Sequence, residues 1–230
     1  MLLLVTIDTR FIGSIAISIQ SLSHFVMHAN PFSTRFIQPG SIDYQRFDGG
    51  TVNELAQLIL KLPSKRAAIV GPHGSGKSTL LASLVFEFQS LCPETEVHLL
   101  RFSSEQSPRA DMSASMAAWA SASIVILDGY EQLGIWSRLR VGQRATSRAV
   151  TLLATAHTGI RGFETLWETS VTETSSRWVV QQLLEQIATP EMVTDLLASD
   201  DWARSREIHG QNLRESLFDM YDWYCSRNQL

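Results

Sequence analysis

Three glycines, a lysine and two hydroxyls make Gly71-Pro72-His73-Gly74-Ser75-Gly76-Lys77-Ser78-Thr79 the segment with the densest chemistry in the chain. Gly71, Gly74 and Gly76 free the backbone to turn successive N–H groups inward, forming an anion nest at the start of a helix. Lys77 adds a long-armed ammonium, Ser78 a hard hydroxyl oxygen suited to Mg²⁺, and Thr79 a second hydroxyl one step further on. Such a set grips a polyphosphate and its divalent cation. A second, acidic ligand is then required, and Ile124-Val-Ile-Leu-Asp128 supplies it. Four apolar residues bury a strand, and Asp128 emerges at its C-terminal end, where open parallel sheets hold their ligands.

The segment matches G-x-x-x-x-G-K-[ST] and lies between an apolar run, Arg66 to Val70, and a helical pattern, Lys77 to Ser90. That context identifies a P-loop for a nucleoside triphosphate, and Mg-ATP is the expected ligand. The expected nucleotide-binding residues are Gly71 to Thr79, with Lys77 reaching the β and γ phosphates. Ser78 and Asp128 are the expected metal ligands, Asp128 through water.

The surrounding elements agree. Thr51 to Leu62 reads as a helix with Glu54 as the capping-box partner of Thr51, stopped by Pro63. Glu96–Phe102, Ser123–Asp128 and Ala149–Thr155 read as strands, with Thr165–Val171 a candidate fifth, and helices over Met112–Ala122 and Tyr130–Ser147. Alternation of this kind predicts an α/β fold, a three-layer α/β/α P-loop NTPase with a central, mainly parallel sheet. From Ser175 the pattern is helical, over Trp178–Ile187, Pro190–Ala198 and Asn212–Ser226, which suggests a small C-terminal lid. The expected domains are an N-terminal segment at 1–29, a nucleotide-binding core at 30–172 and a helical lid at 173–230.

At 230 residues the chain can bury one substantial core, or one nucleotide-binding core plus a small helical appendage. Its 44% apolar and 18% charged residues fit a globular protein, and its net charge of -4 argues against a role dominated by nucleic-acid backbone binding. Cys92 and Cys225 have neither metal-ligand spacing nor a disulfide framework, so a reducing, cytoplasmic setting is expected. No Asp, Glu, Lys or Arg occurs from Phe11 to Thr34, but Ser and His residues dilute the run and Ile15, Ile17 and Ile19 alternate at strand period, so no membrane span is expected. The change of character at Asn30-Pro31 also raises Met27 as an alternative start.

On these motifs the chain resembles the additional-strand P-loop ATPases, the group that includes AAA+, STAND, RecA-like and ABC proteins. In that group a glutamate beside the strand-end Asp polarises water. Here Gly129 stands there, leaving Glu131 either as the base or as a cap of the following helix, and implying slow hydrolysis. The same resemblance makes Thr155 and His157, at the end of the next strand, candidates for sensing the γ-phosphate. His209-Gly-Gln-Asn212-Leu-Arg214-Glu215 resembles the sensor-2 helix of AAA+ lids with one residue inserted, so that Asn212 would cap the helix and Arg214 would face phosphate. Arg35, Phe36, Ile42 and Tyr44, in the lead-in, would border the base, and Arg161 is either an arginine finger or a solvated loop residue. Asn30 to Phe36 and Leu127 to Leu133 are also similar to small bacterial P-loop ATPases, a likeness that carries no specific role.

Three functions compete: an ATPase or nucleotide-dependent switch acting on a protein partner, within a homo-oligomer or alone; a small-molecule or nucleoside kinase; and a nucleic-acid-associated ATPase. Lys77, Asp128, Glu131 and His157 are the catalytic candidates in the first. The arginine-rich lid of such kinases has no counterpart between strands here, because Arg138, Arg140, Arg144 and Arg148 fall on one helix. Arg140, Arg144 and Arg148 recur at i, i+4, which motivates the third. An ABC subunit is disfavoured, since no LSGGQ-like signature precedes Asp128.

Overall fold

The computed structural model describes residues 30–102, 119, 123–185 and 189–228. The N-terminal segment and all of the expected Met112–Ala122 helix except Trp119 lie outside them. Contacts divide the described chain into two compact units, one of residues 44–72 and 77–169, the other of residues 30–43, 73–76 and 170–228.

The first unit is built on five parallel strands, β1 (Arg66–Val70), β2 (Val97–Arg101), β3 (Ile124–Asp128), β4 (Thr151–Ala156) and β5 (Glu164–Glu168). They lie in the order β2-β3-β4-β1-β5. Read along the chain, the strand separating the P-loop strand from the Asp128 strand is Glu96–Phe102. In the sheet it is β4, and β2 is at the edge, because the crossovers return the chain between strands already laid down. Both faces are covered, which gives the three layers. Alternate residues of β3 go opposite ways: Ile124 and Ile126 pack with Leu80, Leu84 and Phe88 of α2 (Lys77–Leu91) and with Leu55 and Ile59 of α1 (Val52–Lys61). Val125 and Leu127 pack with Trp119 and with Val141 and Ala145 of α3 (Ile135–Arg148).

The capping box of α1 forms as the sequence predicts, with Thr51 Oγ1 accepting from Glu54 N and Glu54 Oε2 accepting from Thr51 N. The expected helix from Tyr130 to Ser147 is broken. A 3-10 turn spans Tyr130–Gln132, and α3 starts only after Gly134, because Gly129 takes a left-handed φ of 85° and Gly134 an extended conformation.

The second unit packs α4 (Glu173–Leu184), α5 (Pro190–Leu197), α6 (Asp200–His209) and α7 (Leu213–Asn228) around Val180, Leu184, Leu196, Trp202, Leu217, Met220 and Trp223. α6 has no counterpart in the sequence reading. Ser199 caps it and Asp200 and Asp201 favour its first turn, but its few apolar residues leave no helical period to detect. α4 begins before the expected Trp178 because Thr172 and Ser175 form a capping box without the usual Glu or Gln. The lead-in is fastened to this unit. Asn30 Nδ2 donates to Tyr221 O and its Oδ1 accepts from Phe32 N, while Phe32 is buried edge-on against Tyr224.

Candidate functional site

Sheet register brings the chemistry of the first unit together. Val70 pairs with Ala156, Leu127 with Ala154 and Arg101 with Asp128, so the C-terminal ends of β1 to β4 share one edge. The phosphate loop leaves β1 there, its start tied by Gly71 N donating to Ala156 O at 3.1 Å.

Lys77 Nζ donates to the carbonyls of Gly71 at 2.6 Å and Pro72 at 2.7 Å. Burial pushes its pKa below the ordinary lysine value, against the opposing pull of Glu131 and Asp128. A half-buried ammonium held by neutral carbonyls favours any additional negative charge.

Asp128 is held on both oxygens. Ser78 Oγ donates to Oδ2 at 2.9 Å and Thr155 Oγ1 to Oδ1 at 2.7 Å, while the same Thr155 oxygen accepts from Gly129 N at 2.9 Å. Arg101 Nε stands 3.8 Å from Oδ2. A carboxylate and two hydroxyls are the hard oxygen donors Mg²⁺ prefers, and they are too few for an all-protein cage. Among the described residues no group of three or more His, Cys, Asp or Glu could hold a metal ion.

Glu131 lies in the 3-10 turn, with Oε1 2.8 Å from His157 Nε2 at the end of β4. Its Oε2 is buried without a hydrogen-bond partner among the described residues. It does not cap α3, which starts beyond Gly134 with no side-chain cap. A side chain at Gly129 would be strained: besides its left-handed φ, a Cβ there would lie 2.7 Å from the Phe102 carbonyl, so the backbone would have to shift.

His73, Gly74, Ser75 and Gly76, the middle of the phosphate loop, belong by contact to the second unit. Ser75 is buried and His73 exposed, while Pro72, Gly76 and Thr79 are half-buried. Gly74 has φ 67°, and a Cβ on it would fall 1.8 Å from Asn212 Oδ1. Asn212 therefore does not cap α7 as expected: its Oδ1 has no hydrogen-bond partner among the described residues and lies against the loop glycine. Arg214, in the first turn of α7, is exposed, as is Arg161.

Of the lead-in residues considered for base contacts, Tyr44, Arg35 and Phe36 have contacts of their own. Tyr44 N donates to Ser83 Oγ, its hydroxyl accepts from Trp167 Nε1, and burial raises its pKa. Arg35 stacks on Phe36. Sequence reading missed Arg101 and the packing role of Asn212. The Arg101–Asp128 register could have been found only with the strand order in hand.

No protein-family model matches the chain, and no curated protein matches it in sequence. Solved structures do match. The ORC1 protein of Aeropyrum pernix in complex with DNA is 14% identical with a TM-score of 0.55, covering 86% of this chain and 64% of that one. The S. cerevisiae Hsp104-ADP complex is 9% identical with a TM-score of 0.59, covering 86% of this chain and 33% of that one. C. elegans PCH-2 is 15% identical with a TM-score of 0.48, covering 72% of this chain and 58% of that one. The chain thus spans less than two thirds of each of these three. At such identities the likeness is one of fold alone, and with the parallel order β2-β3-β4-β1-β5 it gives the conclusion: the chain has the three-layer α/β/α P-loop fold shared with the ORC1 and Hsp104 structures.

Proposed function

We propose that this chain binds Mg-ATP and hydrolyses it slowly, as a nucleotide-dependent switch acting on a partner. The observation that carries the reading is the 2.9 Å bond from Ser78 to Asp128, which joins the phosphate loop to the acid at the end of β3. ADP in the Hsp104 structure agrees with a nucleotide ligand. Loop N–H groups and Lys77 would hold the phosphates, and Ser78 and Asp128, the latter through water, would hold Mg²⁺, which would neutralise phosphate charge. Thr155 acts on Asp128 and Gly129 rather than on nucleotide, fixing the direction of the carboxylate. Glu131 takes a proton from the attacking water, and His157, held at 2.8 Å, orients it. The base stands three residues beyond Asp128 because a side chain at the intervening Gly129 would be strained, and this indirect placement accounts for slow turnover. Residues 173–230 serve as the lid through which nucleotide state is communicated, with Arg214 as its cation toward phosphate. The free thiols of Cys92 and Cys225 suit a cytoplasmic setting, and among the described residues no helix is long and apolar enough to cross a membrane.

Calorimetry and phosphate release test this together. Wild-type chain should bind Mg-ATP and Lys77→Ala should weaken binding by about a hundredfold, the scale of losing a charged phosphate contact. Unchanged affinity in Lys77→Ala would overturn the site. Phosphate release without any acceptor supports the ATPase, whereas transfer only on adding a metabolite pool makes the chain a kinase.

A further inference from the structure

Beyond the nucleotide site, the outer face of α3 carries an unusual combination. Trp136 is 74% exposed, Ile135 71% and Leu139 54%, although large apolar residues are ordinarily buried. At about 100° per residue, Trp136 lies near the middle of the outer face, with Ile135 and Leu139 on one side and Arg140 on the other, from which Arg144 and Arg148 wind on, about 40° per step, toward the packed side at the end of the helix. The inward side is Val141 and Ala145. No Asp or Glu occurs from Gln132 to Phe163. Neither Arg140 nor Arg148 makes an ion pair with the described residues. Positive charge is also added from β1: Arg66 donates to Gly142 O and Thr146 Oγ1, and Lys65 to Ala149 O.

We propose that this face binds single-stranded nucleic acid, with the Trp136 indole stacking on a base and Arg140 and Arg148 holding phosphates along the strand. An exposed indole beside a row of cations suits a polyanion whose bases are free to stack, and a duplex hides those base faces. From Trp136 to Arg148 the helix rises about 18 Å, the length of roughly five stacked nucleotides. An acidic peptide carries no flat ring in register with its charges for the indole to stack on, and displacement by polyglutamate separates it from nucleic acid. The site is independent of the nucleotide reading, and it is measured without ATP, so either can fail alone.

The test is fluorescence anisotropy of the full chain with a fluorescein-labelled oligothymidylate about twenty nucleotides long, titrated over a salt series. Wild-type chain should bind it saturably and more tightly than a duplex of the same length. Trp136→Ala should weaken binding about tenfold and leave the salt slope unchanged, the signature of lost stacking. Arg140→Gln with Arg148→Gln should weaken binding and flatten the slope of log K against log salt by about 1.4, two phosphate contacts at about 0.7 each. Arg177→Gln, on α4, serves as the surface control and should change nothing. All variants should keep the wild-type circular dichroism, since the altered side chains lie on the surface. Absence of saturable binding, equal affinity for duplex with no effect of Trp136→Ala, or displacement by polyglutamate as readily as by unlabelled oligonucleotide would each overturn the proposal.

Discussion

Asp128 and Arg140 are twelve positions apart in sequence, yet the charged groups around them are held in opposite ways. At the ends of β3 and β4 every key polar group is fixed: Asp128 by Ser78 and Thr155, Thr155 by Gly129, Lys77 by two carbonyls, and Glu131 by His157. On the outer face of α3 the long side chains of Arg140 and Arg148 make no ion pair with the described residues, and Trp136 packs little of its ring. Groups that must meet a small ligand of fixed shape are positioned in advance, because ordering them on binding would cost conformational entropy. A face for a long, flexible polyanion gains from cations that follow it. Substitution should therefore be costly in the first region and almost free in the second.

The largest expected effect lies where the backbone itself is constrained. Gly129→Glu sets an acid directly after Asp128, but it places a side chain at φ 85° and a Cβ 2.7 Å from the Phe102 carbonyl. It should lower stability by about 3 kcal/mol or more and should not raise phosphate release. A faster enzyme at unchanged melting temperature would break the argument that sterics displaced the base to Glu131. Asp128→Asn comes next. It keeps the shape and removes the charge, and phosphate release should fall about a hundredfold, some 2.7 kcal/mol, with a higher Mg²⁺ requirement.

Thr155→Val is isosteric and strips two hydrogen bonds from a fully buried position, leaving Asp128 Oδ1 and Gly129 N unpaired. About 2 kcal/mol of stability should be lost in denaturant titration, and Thr155→Ser should recover most of it. Had Thr155 been free to touch nucleotide instead, the valine variant would lose affinity with no loss of stability.

The pH dependence follows from Lys77. Its pKa is depressed by burial below lysine's ordinary 10.5, so the ammonium is lost earlier than usual as pH rises. ATP affinity should fall as pH rises toward 10.5, with Lys77→Arg flat throughout because a guanidinium stays charged. For stability the sign is the reverse of a salt-bridged lysine. The charged form is penalised in the folded chain, so this residue's cost is greatest below its folded pKa and eases as pH climbs past it.

Much of the nucleotide site was legible because each part has a local sequence mark. The glycine spacing marked the loop, four apolar residues ending in Asp128 marked β3, and Thr51 with Glu54 marked the start of α1. What escaped depends on distance in sequence or on polar surface. The neighbour of Asp128 across the sheet, Arg101, follows from register, and the place of β4 between β1 and β3 from crossovers that no local pattern records. Helix α6 buries little more than Trp202 and Ser205, so it leaves no period to find, although Ser199 and the two aspartates mark its start once they are read as a cap. Asn212 read as a cap from its position alone, and only its closeness to Gly74 reveals the different task.

The smallest expected effect is the one that tests the second half of the comparison. Arg140→Gln and Arg148→Gln remove side chains that make no ion pair with the described residues, so each should change stability by no more than about 0.5 kcal/mol, within the range of ordinary surface substitutions. Arg148, in the last turn, also faces the negative end of the α3 dipole, so its variant should be the worse of the two by a few tenths of a kcal/mol at low salt and equal to the other at high salt. Urea titrations at the two salt concentrations would measure this. A loss near 2 kcal/mol in either variant would mean that the arginines brace α3, and the contrast between a fixed site and a free face would be gone.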